Sequence, residues 1–371
     1  DGVASRPPPM DQAQSNEATT PQAPTLLSLD AAALRERFVA LGAKPFHAKI
    51  AREAVLQRGA LDYAQMTSLP AALRDTLARE LPILSGRETD RRQSRDATTK
   101  LLLAFPRGAG RDATVEVVHI PPKDPASRKG ATLCVSTQVG CPVACPFCAS
   151  GRNGLVRNLE AHEILEQFVR GRALGELGRS VVMGIGEPLL NYANLSKALD
   201  VVHDEMGIGG RKITVSTVGF PERLRRIAPT KPRFQLAISL HTPFQEQRDV
   251  LVPAMKGVSI EDVLEAGDDW FEQTGREVTY EYVLLADEND SVEHAERLAL
   301  RVAGRRCSVN LIPFNPVDES GYRRPTQFSV DRFHAILAER GVVATVRWSR
   351  GMEGDAACGQ LRVRSLPQRA N

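Results

Sequence analysis

Apolar positions change their period twice along this chain. From Leu29 they fall at helical spacing, with Leu34, Phe38, Val39 and Leu41 on one side and Gly42 as a stop. Ser28 or Asp30 stands where a cap is needed. Pro45-Phe46 opens a second helical stretch over Ala48–Gln57, and a third runs from Ala71 to Glu80. The period then becomes two. Thr99–Phe105 and Thr114–Ile120, split by Arg107-Gly-Ala-Gly110, predict a β-hairpin. Beyond Ala131, short apolar runs alternate with longer amphipathic ones. The predicted strands are Thr132–Thr137, Ser180–Ile185, Lys212–Thr217, Gln235–Leu240, Val278–Leu285, Ser308–Phe314 and Ala344–Trp348. Between them the spacing predicts helices over Ala161–Ala173, Asn194–Met206, Pro221–Ile227, Ile260–Thr274, Val292–Val302 and Val330–Arg340. Repeated β-α units imply an α/β fold with a parallel sheet. About six such units suggest a TIM-like barrel or partial barrel, with chemistry at the carboxyl ends of its strands.

The predicted organisation is a disordered tail over residues 1–25, a helical domain over 26–85, a β-hairpin adaptor over 86–125, a barrel over 126–366 and a short tail over 367–371. The first tail is assigned on composition, since Pro, Gln, Ser, Thr and Ala dominate it. Hydrophobic residues make up 42% and charged residues 25% of the 371, as in soluble globular proteins. No apolar run reaches the roughly 20 residues of a membrane helix. A signal-peptide pattern is also missing, so the expected location is the cytoplasm. Net charge is +3, which neither demands nor forbids nucleic acid. Residues 211–233 hold seven Lys and Arg against one acid, Glu222, and read equally as a phosphate track or a solvated face.

Cysteine changes this picture. Four of the six lie between Cys134 and Cys148, and Cys141, Cys145 and Cys148 read C-x3-C-x2-C. Three thiolates on one loop can hold a metal centre and leave a coordination position open. Structural zinc normally takes four ligands, and Cys134 or His162 could be the fourth. The spacing matches no common zinc finger, so an iron–sulfur cluster is the stronger reading. Other polar groups sit at predicted strand ends: Gly184-Ile-Gly186-Glu187-Pro188, Ser216-Thr217, Ser239-Leu240-His241 and Asn310 to Pro316. Each alone could be a turn or a cap. Near the end, Cys358 lies among small residues with Arg350 upstream. Chemistry alone leaves it open whether this thiol is inert or reactive.

With an aromatic Phe147 before its third cysteine, C-x3-C-x2-C after the first strand of a β/α barrel resembles the radical S-adenosylmethionine superfamily. The wider set resembles the RlmN/Cfr family of RNA methyltransferases over about residues 30 to 362. That set is LCVSTQVGCPVACPFCASG, GIGEPLLN, VSTVG, AISLH, RDVLVPA, NLIPFNP and SRG with DAACGQL, together with KPFHAKI in the helical region. The resemblance implies a partial (β/α)6 radical S-adenosylmethionine barrel. It implies a [4Fe–4S] cluster on Cys141, Cys145 and Cys148, and two S-adenosylmethionine molecules per turnover. Gly186, Glu187, Ser216, Ser239, Leu240, His241 and Asn315 would line the cofactor pocket. Cys358 would carry the methyl group as S-methylcysteine, Cys134 would resolve the adduct by forming a disulfide with Cys358, and Glu116 would accept the proton.

The implied reaction is methylation of adenine C2 in 23S ribosomal RNA, with transfer RNA as a further substrate. A flavodoxin or ferredoxin would be the reductant, the chain would be a monomer, and no membrane would be involved. On these terms Cys307 is a buried structural residue. Departures from the family pattern occur at Glu53–Leu56, after the cluster loop and around the hairpin turn. Three rivals stand: C8 methylation of the same adenine, another radical enzyme such as an activase or dehydrogenase, and a zinc-stabilised RNA-binding module without catalysis.

Overall fold

A computed structural model describes residues 23–361 other than 108–110, 125–126, 128, 318–319 and 352–355. Residues 108–110 of the predicted hairpin turn, residues 1–22 of the first tail, the whole second tail and Asp355 therefore lie outside the described residues.

Three helices open the fold: α1 (Ala31–Ala40), α2 (Pro45–Arg58) and α3 (Ala71–Glu80). Of the two candidate caps Asp30 serves, accepting the N–H groups of Ala32 and Ala33. Pro45 occupies the first turn of α2, and Gly59, in left-handed geometry, ends it. Leu34, Phe38, Ala51 and Val55 face a common interior. This domain docks on α4 (Ala161–Leu174) so closely that a Cβ on Gly59 would stand 2.6 Å from the Ala173 nitrogen. The Arg52 guanidinium forks onto Glu205, with bonds of 2.5 and 2.8 Å. A second clamp is buried: one Glu166 oxygen accepts from the Ser85 N–H, the Ser85 hydroxyl and the Gly86 N–H, while Arg170 donates to the other.

The expected two-stranded hairpin is a three-stranded antiparallel meander of β1 (Arg87–Gln93), β2 (Thr99–Arg107) and β3 (Arg111–Ile120). It is not a separate unit. β3 pairs antiparallel with β4 (Ala131–Cys134), setting Val118 opposite Cys134. A ribbon of β5 (Gln138–Gly140) and β6 (Leu155–Asn158) then leaves the sheet and frames the cysteine loop.

Parallel pairing resumes from β4 to β7 (Leu177–Val182), β8 (Ile213–Thr217), β9 (Gln235–Ser239), β10 (Val278–Leu284), β11 (Cys307–Pro313) and β12 (Ala344–Val346). The parallel part thus has seven strands, within a ten-stranded sheet that ends on β1 and β12 without closing. This is the partial barrel, one strand longer than six units. Crossovers are α4, which links β4 to β7, α5 (Tyr192–Asp204), α6 (Pro221–Ile227), α7 (Gln245–Leu251), α8 (Ile260–Thr274), α9 (Val292–Val302) and α10 (Gln327–Glu339). Among the described residues no helix is long and apolar enough to cross a membrane.

Candidate active site

The carboxyl ends of the parallel strands surround one cavity. Cys141, Cys145 and Cys148 form one wall. Gly140 brings the chain into this loop at φ +78°, and a Cβ there would lie 1.9 Å from the Gly154 carbonyl, so the β5–β6 ribbon closes only with glycine. All three thiols are free. Burial pushes Cys141 up to about 12 and Cys145 well above an ordinary thiol, and the neighbouring cysteines raise both further. Cys141 and Cys145 are therefore held as thiols that a nearby cationic centre would help to ionise.

Behind them lies Arg248, fully buried, with Nη2 donating to the Val218 carbonyl. Its Nε and Nη1 find no partner among the described residues, and it opposes the charge of Cys145. That fits an anionic thiolate cluster. Among the described residues no three His, Cys, Asp or Glu converge on a single-ion position, which a zinc site would need. A cluster puts each thiolate on a different iron, so its ligands stand further apart.

The opposite wall comes from the other strand ends. Gly186, Glu187, Ser216, Ser239, His241 and Asn315 all line the cavity. Gly186 sits at φ +113°, where a Cβ would meet Gln138 at 2.7 Å. Glu187 is buried and already accepts from Thr217 Oγ1 at 2.6 Å, from Val218 N and from Leu189 N. A carboxylate offers about four acceptor positions, so one remains for an ammonium. The hydroxyls of Ser216 and Ser239 are 3.5 Å apart. Burial holds His241 neutral, down to about 3, with nearby Arg248 adding to the effect. Its Nδ1 accepts the Val283 N–H at 3.2 Å. Leu240 does not join them: strand alternation turns its side chain into the hydrophobic core.

Cys358 also lines this cavity, and it lines a second chamber as well, with Cys134, Met183, Arg347 and Trp348. Its loop is pinned by Asn315, whose Nδ2 donates to the Cys358 carbonyl at 3.0 Å and to the Ser349 hydroxyl. Arg350 anchors the near end of the loop on Asp96 at 3.0 Å. Cys134 and Cys358 are both free thiols. Burial raises Cys134 to about 12 and Cys358 to about 11; each also feels Arg347, which pulls the other way.

Glu116 is not on the outward face of its strand. It is 1% exposed and pairs with the buried Lys100 at 3.1 Å. It lies two residues from Val118, on the face of β3 that meets Cys134.

Two polar residues of the site escaped the sequence reading. Glu281 lines the main cavity, where Asn310 donates to it at 2.7 Å and burial lifts its carboxyl to about 7. Arg347, in the second chamber, is close enough to Glu281 and to both thiols that its charge favours the ionised form of each. Glu281 reads as one polar position in an apolar strand, and only barrel parity could have singled it out. In the basic segment, Arg225 pairs with Asp262 and Asp269, and Arg233 with Asp200 and Asp204. These side chains are committed to surface ion pairs, which favours the solvated-face reading. Cys307 begins β11 at the opposite barrel end and is half-buried rather than buried.

Comparison with known proteins agrees with this arrangement. Residues 135–299 match the radical SAM superfamily, and residues 25–83 match the ribosomal RNA large subunit methyltransferase N-terminal domain. A relative in Parasynechococcus marenigrum, named a probable dual-specificity RNA methyltransferase RlmN, is 42% identical over 91% of this chain and 98% of its own length. One of the same name in Rhodopirellula baltica is 40% identical over 95% of each. The crystal structure of a radical SAM methyltransferase from Sphaerobacter thermophilus superimposes with a TM-score of 0.82, at 38% identity over 91% of this chain and 99% of that one. The chain belongs to the RlmN family of radical SAM RNA methyltransferases.

Proposed function

We propose that this enzyme methylates C2 of an adenine in 23S ribosomal RNA, and the same atom in transfer RNA, through a methyl group carried on Cys358. The observation behind this reading is that Cys358 is common to two chambers, one walled by the three loop cysteines and the other containing Cys134. A thiol so placed can receive a group on one side and be released by a second thiol on the other.

In this reading Cys141, Cys145 and Cys148 hold a [4Fe–4S] cluster. Glu187, Ser216, Ser239 and Asn315 bind S-adenosylmethionine, two molecules per turnover. When bound, cluster and S-adenosylmethionine together supply a carbon radical that removes hydrogen from a methyl group. Cys358 holds that methyl group in place, so the target carbon is joined to its sulfur through one methylene. Glu116 takes the proton that leaves the substituted ring carbon. Cys134, as its thiolate, then attacks the Cys358 sulfur: an S–S bond forms, the S–CH2 bond breaks with its electron pair left on the methylene carbon, and that carbon takes up a proton as the methylated base departs. Arg347 stabilises the attacking thiolate. The helical region over 26–85 serves as accessory RNA surface, the adaptor over 86–125 carries Glu116, and the barrel over 126–366 does the chemistry as a monomer. A flavodoxin or ferredoxin delivers the electron. The relatives' name, probable dual-specificity RNA methyltransferase, supports including a second RNA.

Anaerobic reconstitution followed by nucleoside mass spectrometry on RNA from a strain lacking the enzyme tests this. The expected product is 2-methyladenosine, absent with C358A. An 8-methyladenosine product alone would overturn the choice of carbon. Modification by C358A would end the methyl-relay reading.

A further inference from the structure

The chamber holding Cys134 and Cys358 has one wall for which the reaction scheme gives no reason. Trp348 lines it, directly after Arg347, yet the indole is 45% exposed. The other tryptophan of the chain, Trp270, is fully buried. A large aromatic left at a chamber mouth loses the stabilisation that burial would give it. Its position is nevertheless fixed. Arg324 places its guanidinium over the ring at 5.6 Å from the centroid. The same guanidinium donates to Asn315 Oδ1 at 3.2 Å, and Asn315 in turn holds the Cys358 carbonyl. The indole is thereby tied, through two side chains, to the backbone that carries the reactive thiol.

We propose that Trp348, backed by Arg324, is a stacking platform for an unpaired base of the RNA, either the target adenine or its neighbour. The inference rests on the reading of the chain as an adenine-modifying enzyme. The physical need is clear: a ring carbon inside a duplex stack is out of reach, so the base must be displaced, and a displaced base loses its stacking partners. An aromatic face returns that energy without reading sequence. An arginine over the ring adds positive charge near the flanking phosphates. The platform takes unpaired purine or pyrimidine bases and has no use for a continuous duplex.

The test measures binding of two RNA probes to the reconstituted holoenzyme: a short hairpin with an unpaired adenosine in its loop, and a fully paired duplex of the same composition. W348A is expected to weaken hairpin binding about five- to a hundredfold, while W348F stays within about threefold of wild type. Duplex binding is expected to be the same for all three proteins. In the wild type, hairpin addition should quench Trp348 emission, and duplex should not. Unchanged hairpin affinity in W348A overturns the platform, and so does an equal loss for both probes, which would mark a general role in folding or charge. Hairpin methylation by the wild type, read by mass spectrometry, separates the two levels. If the wild type methylates the hairpin and W348A binds it normally, only the platform falls. If the wild type never modifies adenosine, the underlying function falls with it.

Discussion

At the scale of single residues, the site buries ionisable groups and gives them charged partners. Lys100 and Glu116 show the first half. They are 3% and 1% exposed and pair at 3.1 Å, so removing one breaks a buried ion pair. K100M is expected to cost about 3–5 kcal/mol in denaturant unfolding, whereas K100M/E116Q together should recover most of that loss. Arg347 shows the second half. Both nearby thiols are pushed up by burial, so the exchange between Cys134 and Cys358 should accelerate as pH rises and thiolate accumulates. With R347M the same rise should begin at higher pH, and C134A should leave RNA covalently attached to protein, visible on a denaturing gel.

Glu281 carries a linkage consequence. Its carboxyl is lifted from 4.5 to about 7, so between those values the folded state keeps a proton that the unfolded chain has lost. Stability therefore falls as pH rises through that window, and E281Q should flatten the slope. The three loop cysteines could be singled out from spacing alone, because candidates on one loop are local. Glu281 and Arg347 were not, because their significance lies in what faces them from other strands.

Among the elements, what could be read depended on whether the signal was local. The helices at Pro221–Ile227, Ile260–Thr274 and Val292–Val302 have the bounds their sequence predicts. Their stops are chemical: Ser259 and Ser291 cap two of them, and Gly275 ends one in left-handed geometry. β1 was missed because Arg87–Gln93 presents almost no apolar face, being an edge strand with mostly exposed side chains. α7 was missed because seven largely polar residues give no period. The β5–β6 ribbon is short, yet it carries the loop of Cys141, Cys145 and Cys148. Substituting Gly140 by Ala should therefore show its effect in iron content: the purified variant is expected to retain markedly less iron and less of the cluster's visible absorbance, with helical circular dichroism unchanged.

At the scale of the whole molecule, a ten-stranded sheet has a helical domain clamped to its side. The Glu166 clamp spans that junction, and it buries Arg170 as well. E166A should open the linker near residues 84–87 to limited proteolysis before the barrel unfolds, and should destabilise the protein by about 3–5 kcal/mol through the stranded Arg170. The separate adaptor of the sequence reading turned out to be the continuation of the barrel sheet, because hydrogen bonding across β3 and β4 cannot be seen in either strand alone. That seam has a consequence for how the chain can change length. Only three residue pairs, Val118–Cys134, His119–Leu133 and Ile120–Thr132, fix its register. A single deletion inside β3 would turn Glu116 and Val118 to the far face and bring their neighbours against Cys134. Insertions and deletions within β3 should therefore be absent from every homologue that still turns over.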